Sequence, residues 1–243
     1  MSAAPMQSLA PVHGDPMKGR PLAWLRALPP SLWLLVALLA AMVALSPLYQ
    51  TAPGLMSFLQ RAAPLVILSC GTSFVLISGG FDLSSGALIT LVVIGCALLT
   101  NGDPDLSVRA VAAAYGMGLA VGLLNGLVVA RLRVPSIIAT LGALLSVKGI
   151  AMVWSGGAPS GYLPDNLRWL GRGVLREVPL TGTLPIAVIV LAVFVALCAW
   201  LLHRTNFGRL VLMIGDNPVA AELAGAPVRR VRVAAFVAVS YTH

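Results

Sequence analysis

Few residues in this chain could do chemistry. Sixteen Lys and Arg, eight Asp and Glu, three His and three Cys are scattered through 243 residues. His13, His203 and His243 lie far apart, and Cys70, Cys96 and Cys198 each stand alone in an apolar run without CxxC or Cys/His spacing. That pattern argues against a metal site or a disulfide framework. The sequence holds no GxxxxGK[ST], HExxH or GxSxG, so it offers no nucleotide loop, zinc-protease helix or nucleophile elbow. Covalent catalysis within the chain is not expected.

Four polar features remain. In Ser78-Gly79-Gly80-Phe81-Asp82-Leu83-Ser84, paired glycines, an acid and hydroxyls interrupt two apolar runs. The backbone should leave the helix there, a conformation tolerated at membrane depth only inside protein or beside a water-filled cavity. Asp82 can cap the helix beginning near Ser84, or take a direct part in a substrate path. Lys148 lies in the middle of an apolar span, where a lysine costs about 2.5–3.5 kcal/mol. Snorkelling, an ion pair with Asp82 or a water-lined cavity would each satisfy it. Gly118, Gly122 and Gly126 share one helix face and predict close helix packing. Finally, the stretch from Gly215 to Gly225 reads as one short helix: Asp216 or Asn217 caps it, Pro218 opens it and Gly225 ends it with positive φ. It is too short to span and should lie on the cytoplasmic surface, its small apolar side chains open to a partner.

The elements that position these residues are set by hydropathy. With 58% hydrophobic and 10% charged residues and a mean hydropathy of +0.93, the chain has too little polar surface for a water-soluble globule. The expected class is an all-α integral membrane protein, a polytopic helix bundle. Spans are read at Leu32 to Leu48, Ala62 to Ser78, Ser84 to Leu99, Val108 to Ala130, Pro135 to Trp154 and Thr183 to Leu202. A seventh starts near Arg232 and holds only ~9 apolar residues, about half of what a crossing needs. The organisation is therefore about six complete spans plus a partial seventh, in a chain expected to be a fragment. Residues 1–30 read as a disordered cytoplasmic tail and 31–243 as the membrane domain, with a cytoplasmic loop at about 204–231. The net charge of +8 does not indicate nucleic acid, because the basic residues sit mostly at the ends of apolar segments. Arg131, Arg133, Arg204, Arg209, Arg229, Arg230 and Arg232 fall inside if the N-terminus, with Lys18, Arg20 and Arg26, is cytoplasmic. Arg168, Arg172 and Arg176 in the long outer loop run against that orientation.

Together these blocks resemble the permease subunits of the ribose, xylose, arabinose and galactoside group of bacterial ABC importers. The resemblance runs from about Ser46 to Ser240 and rests on Gly79-Gly80-Phe81-Asp82-Leu83-Ser84, Asn125-Gly126, Pro135 to Gly142 and Gly149 to Pro159. Its most specific block is Thr205 to Gly225, with Gly208-Arg209 and Asn217 followed by Ala220-Ala221 and Gly225. Phe81, Ser85 and Gly54 depart from the family's usual Ile, Val and Asn. The resemblance implies a multi-pass protein of the bacterial inner membrane that moves a monosaccharide or polyol. Its partners would be a second permease copy, a periplasmic sugar-binding protein and a cytoplasmic ATPase carrying the ATP and Mg; this chain would need no cofactor. Gly79, Gly80, Asp82, Ser84, Asn125, Thr140 and Lys148 become candidates for the substrate path. Gly208, Arg209, Asn217, Pro218, Ala220, Ala221, Glu222 and Gly225 become candidates for coupling to the ATPase. The competing readings are a stand-alone secondary transporter or channel, which would use the broken helix and Lys148 as an ion site, and a membrane enzyme, which the missing catalytic constellation disfavours.

Overall fold

The computed structural model describes residues 29–158, 160–179 and 182–240. The expected N-terminal tail falls almost wholly outside them. Two compact units divide at Gln50 and Thr51. The first contains α1 (Pro30–Leu45) and a single 3-10 turn (Pro47–Gln50), where the Gln50 side chain donates to the Val43 carbonyl.

The second unit carries α2 (Ala52–Ile77), α3 (Ser85–Thr100), α4 (Ser107–Ala130), α5 (Ser136–Trp154), α6 (Asp165–Arg172), β1 (Val174–Val178), β2 (Gly182–Pro185), α7 (Ile186–Arg204), α8 (Asn206–Asp216), α9 (Pro218–Leu223) and α10 (Val228–Ser240). Among the described residues, α2, α4, α5 and α7 are long and apolar enough to cross a membrane; α1 and α3 are apolar but shorter. Large apolar side chains are exposed as well as buried. In α7 only Ile186 is buried, and its outward face is lined by Leu, Ile and Val, as a lipid-facing helix requires.

Four boundaries differ from the sequence reading, the first being the end of α1 at Leu45 rather than Leu48. The second span begins at Ala52 rather than Ala62, because the Thr51 side chain accepts the Gly54 amide and Pro53 suits the first turn. Arg61 therefore lies within this helix. Residues 182–185 pair with β1 in an antiparallel hairpin, Val174 opposite Pro185, so the sixth span starts at Ile186. The last helix starts at Val228, where buried Val228 and Val231 alternate with Arg229, Arg230 and Arg232. The loop read as plain is folded: α6 is tied to α2 by the Gln60 side chain, which donates to the Gly171 carbonyl, and to α4 by Asn166 and Ser107.

The hub of this unit is α10, which packs on both α4 and α2. Phe74 and Val75 of α2 meet Ala235, Phe236 and Val239 in one core, with Val129 of α4 at its edge. The glycine face of α4 makes this possible. A Cβ at Gly118 would stand 2.7 Å from the Ser240 carbonyl oxygen, one at Gly122 3.0 Å from the Phe236 carbonyl oxygen, and one at Gly126 2.9 Å from Val233 Cα. The neighbour to which the predicted stripe offers close approach is thus α10.

Gly122→Leu is expected to destabilise by ~1–3 kcal/mol through overpacking. Gly116→Leu, at a position where an added Cβ would meet no atom within 4 Å, should unfold close to wild type in a detergent thermal melt. Equal losses would show that the α4–α10 contact is not the cause.

Candidate functional site

The interruption between α2 and α3 is a capped break. Ser78 ends α2, Gly79 turns to φ 81°, and the Gly79 and Gly80 amides donate back to the Leu76 and Val75 carbonyls at 3.0 and 2.9 Å. This pair of bonds is a Schellman motif. The next amide, Phe81 N–H, donates to Ser136 Oγ at 3.0 Å, across to the first residue of α5. Asp82 Oδ1 accepts the Ser84 amide at 2.8 Å and the Ser84 hydroxyl at 2.6 Å. It holds the residue that precedes α3 rather than the first amides of α3 itself.

Two helices close around this turn. Asn125 Nδ2 of α4 donates to Ser84 Oγ at 2.8 Å, giving a relay Asn125 to Ser84 to Asp82 in which each hydroxyl and amide has a defined direction. Asn125 and Ser84 are each only 1% exposed, and in so dry a place a satisfied chain of hydrogen bonds is strengthened by its members. Asn125 lies five residues in from the end of α4, about 8 Å at 1.5 Å per residue, so the break is recessed into the bundle. Thr140 of α5 is fully buried, donates to the Ser136 carbonyl at 2.8 Å, and lies 3.5 Å from the Phe81 carbonyl.

The structure thus gathers Gly79, Gly80, Asp82, Ser84, Asn125 and Thr140 around one feature, but not Lys148. Its side chain is exposed on α5, and the ion pair found among the described residues joins Arg168 to Asp165. The Asp82–Lys148 pair raised by the sequence is not formed, because Asp82 is turned to Ser84. Phe81 and Ser136, quoted in the sequence only as parts of the family blocks, hold the break to α5.

At the same end lies the expected coupling helix. Asn217 Oδ1 accepts the Val219 and Ala220 amides at 3.0 Å, Pro218 opens α9, and Gly225 at φ 84° ends it in a second Schellman motif. Its side chains do not all face outward, however. Ala221 is 1% exposed and packs with Val211, Ile214, Val228 and Val231. Glu222, Ala220, Val219 at 66% and Leu223 at 85% are exposed. Val219 and Leu223 are therefore surface residues that the sequence reading missed.

Beneath α9 is α8, an amphipathic helix not anticipated from the loop's punctuation. The Thr205 side chain caps it through the Gly208 amide, and Arg209 bonds Asn206. Gly208 is buried, since a Cβ there would collide with the Leu202 carbonyl, and one at Gly215 with the Ile77 carbonyl. Its role is close approach to α7, not surface contact. A cavity of about 610 Å³ joins the break to α9, lined among others by Gly80, Ser136, Arg133, Arg229, Arg232 and Glu222.

Residues 54–242 match the family described as branched-chain amino acid transport system / permease component. The chain belongs to this permease family. It is a multi-pass membrane protein of helical architecture. The permease is 35% identical over 202 residues to the autoinducer 2 import system permease protein LsrC of Klebsiella pneumoniae, covering 83% of this chain and 57% of that one. It is 33% identical over 211 residues to the ribose import permease protein RbsC of Escherichia coli, covering 85% and 63%. The chain thus spans about three-fifths of the length of these curated relatives. No solved structure matches it significantly.

Asn125→Leu, which keeps volume but removes the donor, is expected to cost the permease ~1–3 kcal/mol. In that background Ser84→Ala should cost less than it does alone. A double-mutant cycle by denaturant unfolding measures the difference, and strictly additive losses would dissolve the relay.

Proposed function

We propose that this permease is the membrane-spanning subunit of an ATP-driven importer for a monosaccharide or related polyol, working with a separate ATPase and an external binding protein. The observation that carries this reading is α9: a short capped helix locked on a buried platform, with Val219, Leu223 and Glu222 turned outward. A helix that exposes two large aliphatic side chains beside an acid is suited to a groove on a partner. The relatives named for ribose and autoinducer 2 import support a sugar-like cargo.

In this reading the end carrying α9 faces the cytoplasm of a bacterial inner membrane, with the N-terminus on the same side. Arg131, Arg133, Arg204, Arg209, Arg229, Arg230 and Arg232 belong to that end, against Arg109, Arg168, Arg172 and Arg176 at the other. ATP and Mg act on the partner, and this subunit transmits motion without covalent chemistry. Gly208 and Gly215 let α8 abut the carbonyl ends of α7 and α2, so a push on α9 reaches the break through packed backbone.

The cargo passes beside the outward face of α5. Gly142 and Gly149 meet no atom there, and Lys148 is exposed. A lysine in hydrocarbon is costly, and a second permease copy enclosing a water-lined path relieves that cost. Gly79, Gly80, Asp82, Ser84, Asn125 and Thr140 fix the inner end of the path.

The full-length permease, reconstituted with its ATPase and binding protein in liposomes, should take up sugar only with ATP inside and stop with vanadate. Val219→Asp with Leu223→Asp should lower uptake about tenfold or more with an unchanged melting temperature. Uptake that persists without ATP would instead identify a secondary transporter.

A further inference from the structure

The cavity between the break and α9 has a charge that sugar transport leaves unused. Arg133 lines it from the α4–α5 turn, Arg229 and Arg232 from the first turns of α10, and Glu222 from α9. Three guanidinium groups thus converge on one volume against one carboxyl. None of the four is in an ion pair, since the ion pair among the described residues is Arg168 with Asp165. Like charges lining one cavity repel, and an anion between them turns that repulsion into attraction.

The donor set selects the kind of anion. Guanidinium forks match the spacing of phosphate oxygens and hold them by paired charge-assisted bonds. Ser136, whose hydroxyl already accepts from Phe81, lines the same wall. A neutral polyol calls for none of this.

The place in the fold agrees. Ala130, Ser136 and Val228 all line the cavity, and they are respectively the last residue of α4 and the first of α5 and α10. The cavity therefore runs from the recessed break to where the spans end, at the level of lipid headgroups. Basic pockets between spans at that level receive anionic headgroups. Its volume of about 610 Å³ exceeds what a bare ion fills and falls in the range of about 300–1,000 Å³ typical of small-molecule sites.

We propose that this cavity is a phosphate site, taking the headgroup of an anionic phospholipid or a free phosphate ester, with Arg133, Arg229 and Arg232 as its ligands and Glu222 opposing them. The proposal does not rest on α9 docking an ATPase. A phosphate held there touches the break and α9 together, and so favours the arrangement that brings them close.

The test uses the full-length protein in neutral detergent, stripped of lipid. It is titrated calorimetrically with short-chain phosphatidylglycerol against phosphatidylcholine, and with glycerol 3-phosphate against chloride of matched ionic strength. Saturable binding of phosphatidylglycerol alone supports the site with a lipid source; binding of glycerol 3-phosphate supports it with a soluble ester. Arg133→Gln with Arg232→Gln should weaken either by about tenfold or more, Glu222→Gln should tighten it, and Arg168→Gln in the outer loop should change nothing. No saturable binding, or an equal loss in Arg168→Gln, overturns the proposal. So does a double variant that binds phosphate normally but no longer assembles with an ATPase, because the occupant would then be an acidic protein side chain. Should the double variant fail to fold, Glu222→Gln decides alone, and an unchanged affinity rejects the site.

Discussion

A helix that stops inside a bilayer leaves amides and carbonyls with no water to receive them, and this constraint organises the end of the permease where its functional features meet. The break between α2 and α3 answers it for four amides. Gly79 and Gly80 turn back on α2, Phe81 is taken by Ser136, and Ser84 by Asp82. Because two of those partners are anchored, one through Asn125 in α4 and one at the head of α5, the same bonds that satisfy the backbone fasten three helices to one turn. A movement of α4 or α5 cannot leave the break unchanged.

Close backbone approach is the second organising device. Where lipid supplies no hydrophobic drive between helices, small residues allow the contact that holds them. On α4 they admit α10; on α8 Gly208 and Gly215 admit the carbonyl ends of α7 and α2. The consequence is mechanical. The short helix α9 stands on α8 and α10 through Ala221, and both of these press directly on the helices that border the break. Such packing has little slack, because close-packed interiors transmit displacement rather than absorb it.

Similarity to import permeases extends over most of this chain while the chain spans about three-fifths of those relatives. The matched part contains the break, the platform and the exposed helix. The arginine-lined cavity lies between the break and α9.

The sequence by itself determined what depends on neighbours in the chain. Apolar runs set the spans, because the bilayer imposes a length on any helix that crosses it. Asn217, Pro218 and Gly225 defined α9, and the paired glycines defined the break, because capping and positive φ are local chemistry. Tertiary structure alone decided what depends on distant residues meeting. It made α10 the partner of the Gly118 face, turned Ala221 inward, drew Asn125 to Ser84 and Phe81 to Ser136, left Lys148 away from Asp82, and brought Arg133 beside Arg229 and Arg232. It also folded α6, the hairpin and the amphipathic α8, each too short to carry the signal of a membrane span. The physical reason is the same throughout: a cap is closed within a turn of the chain, whereas a helix face acquires meaning only from the surface packed against it.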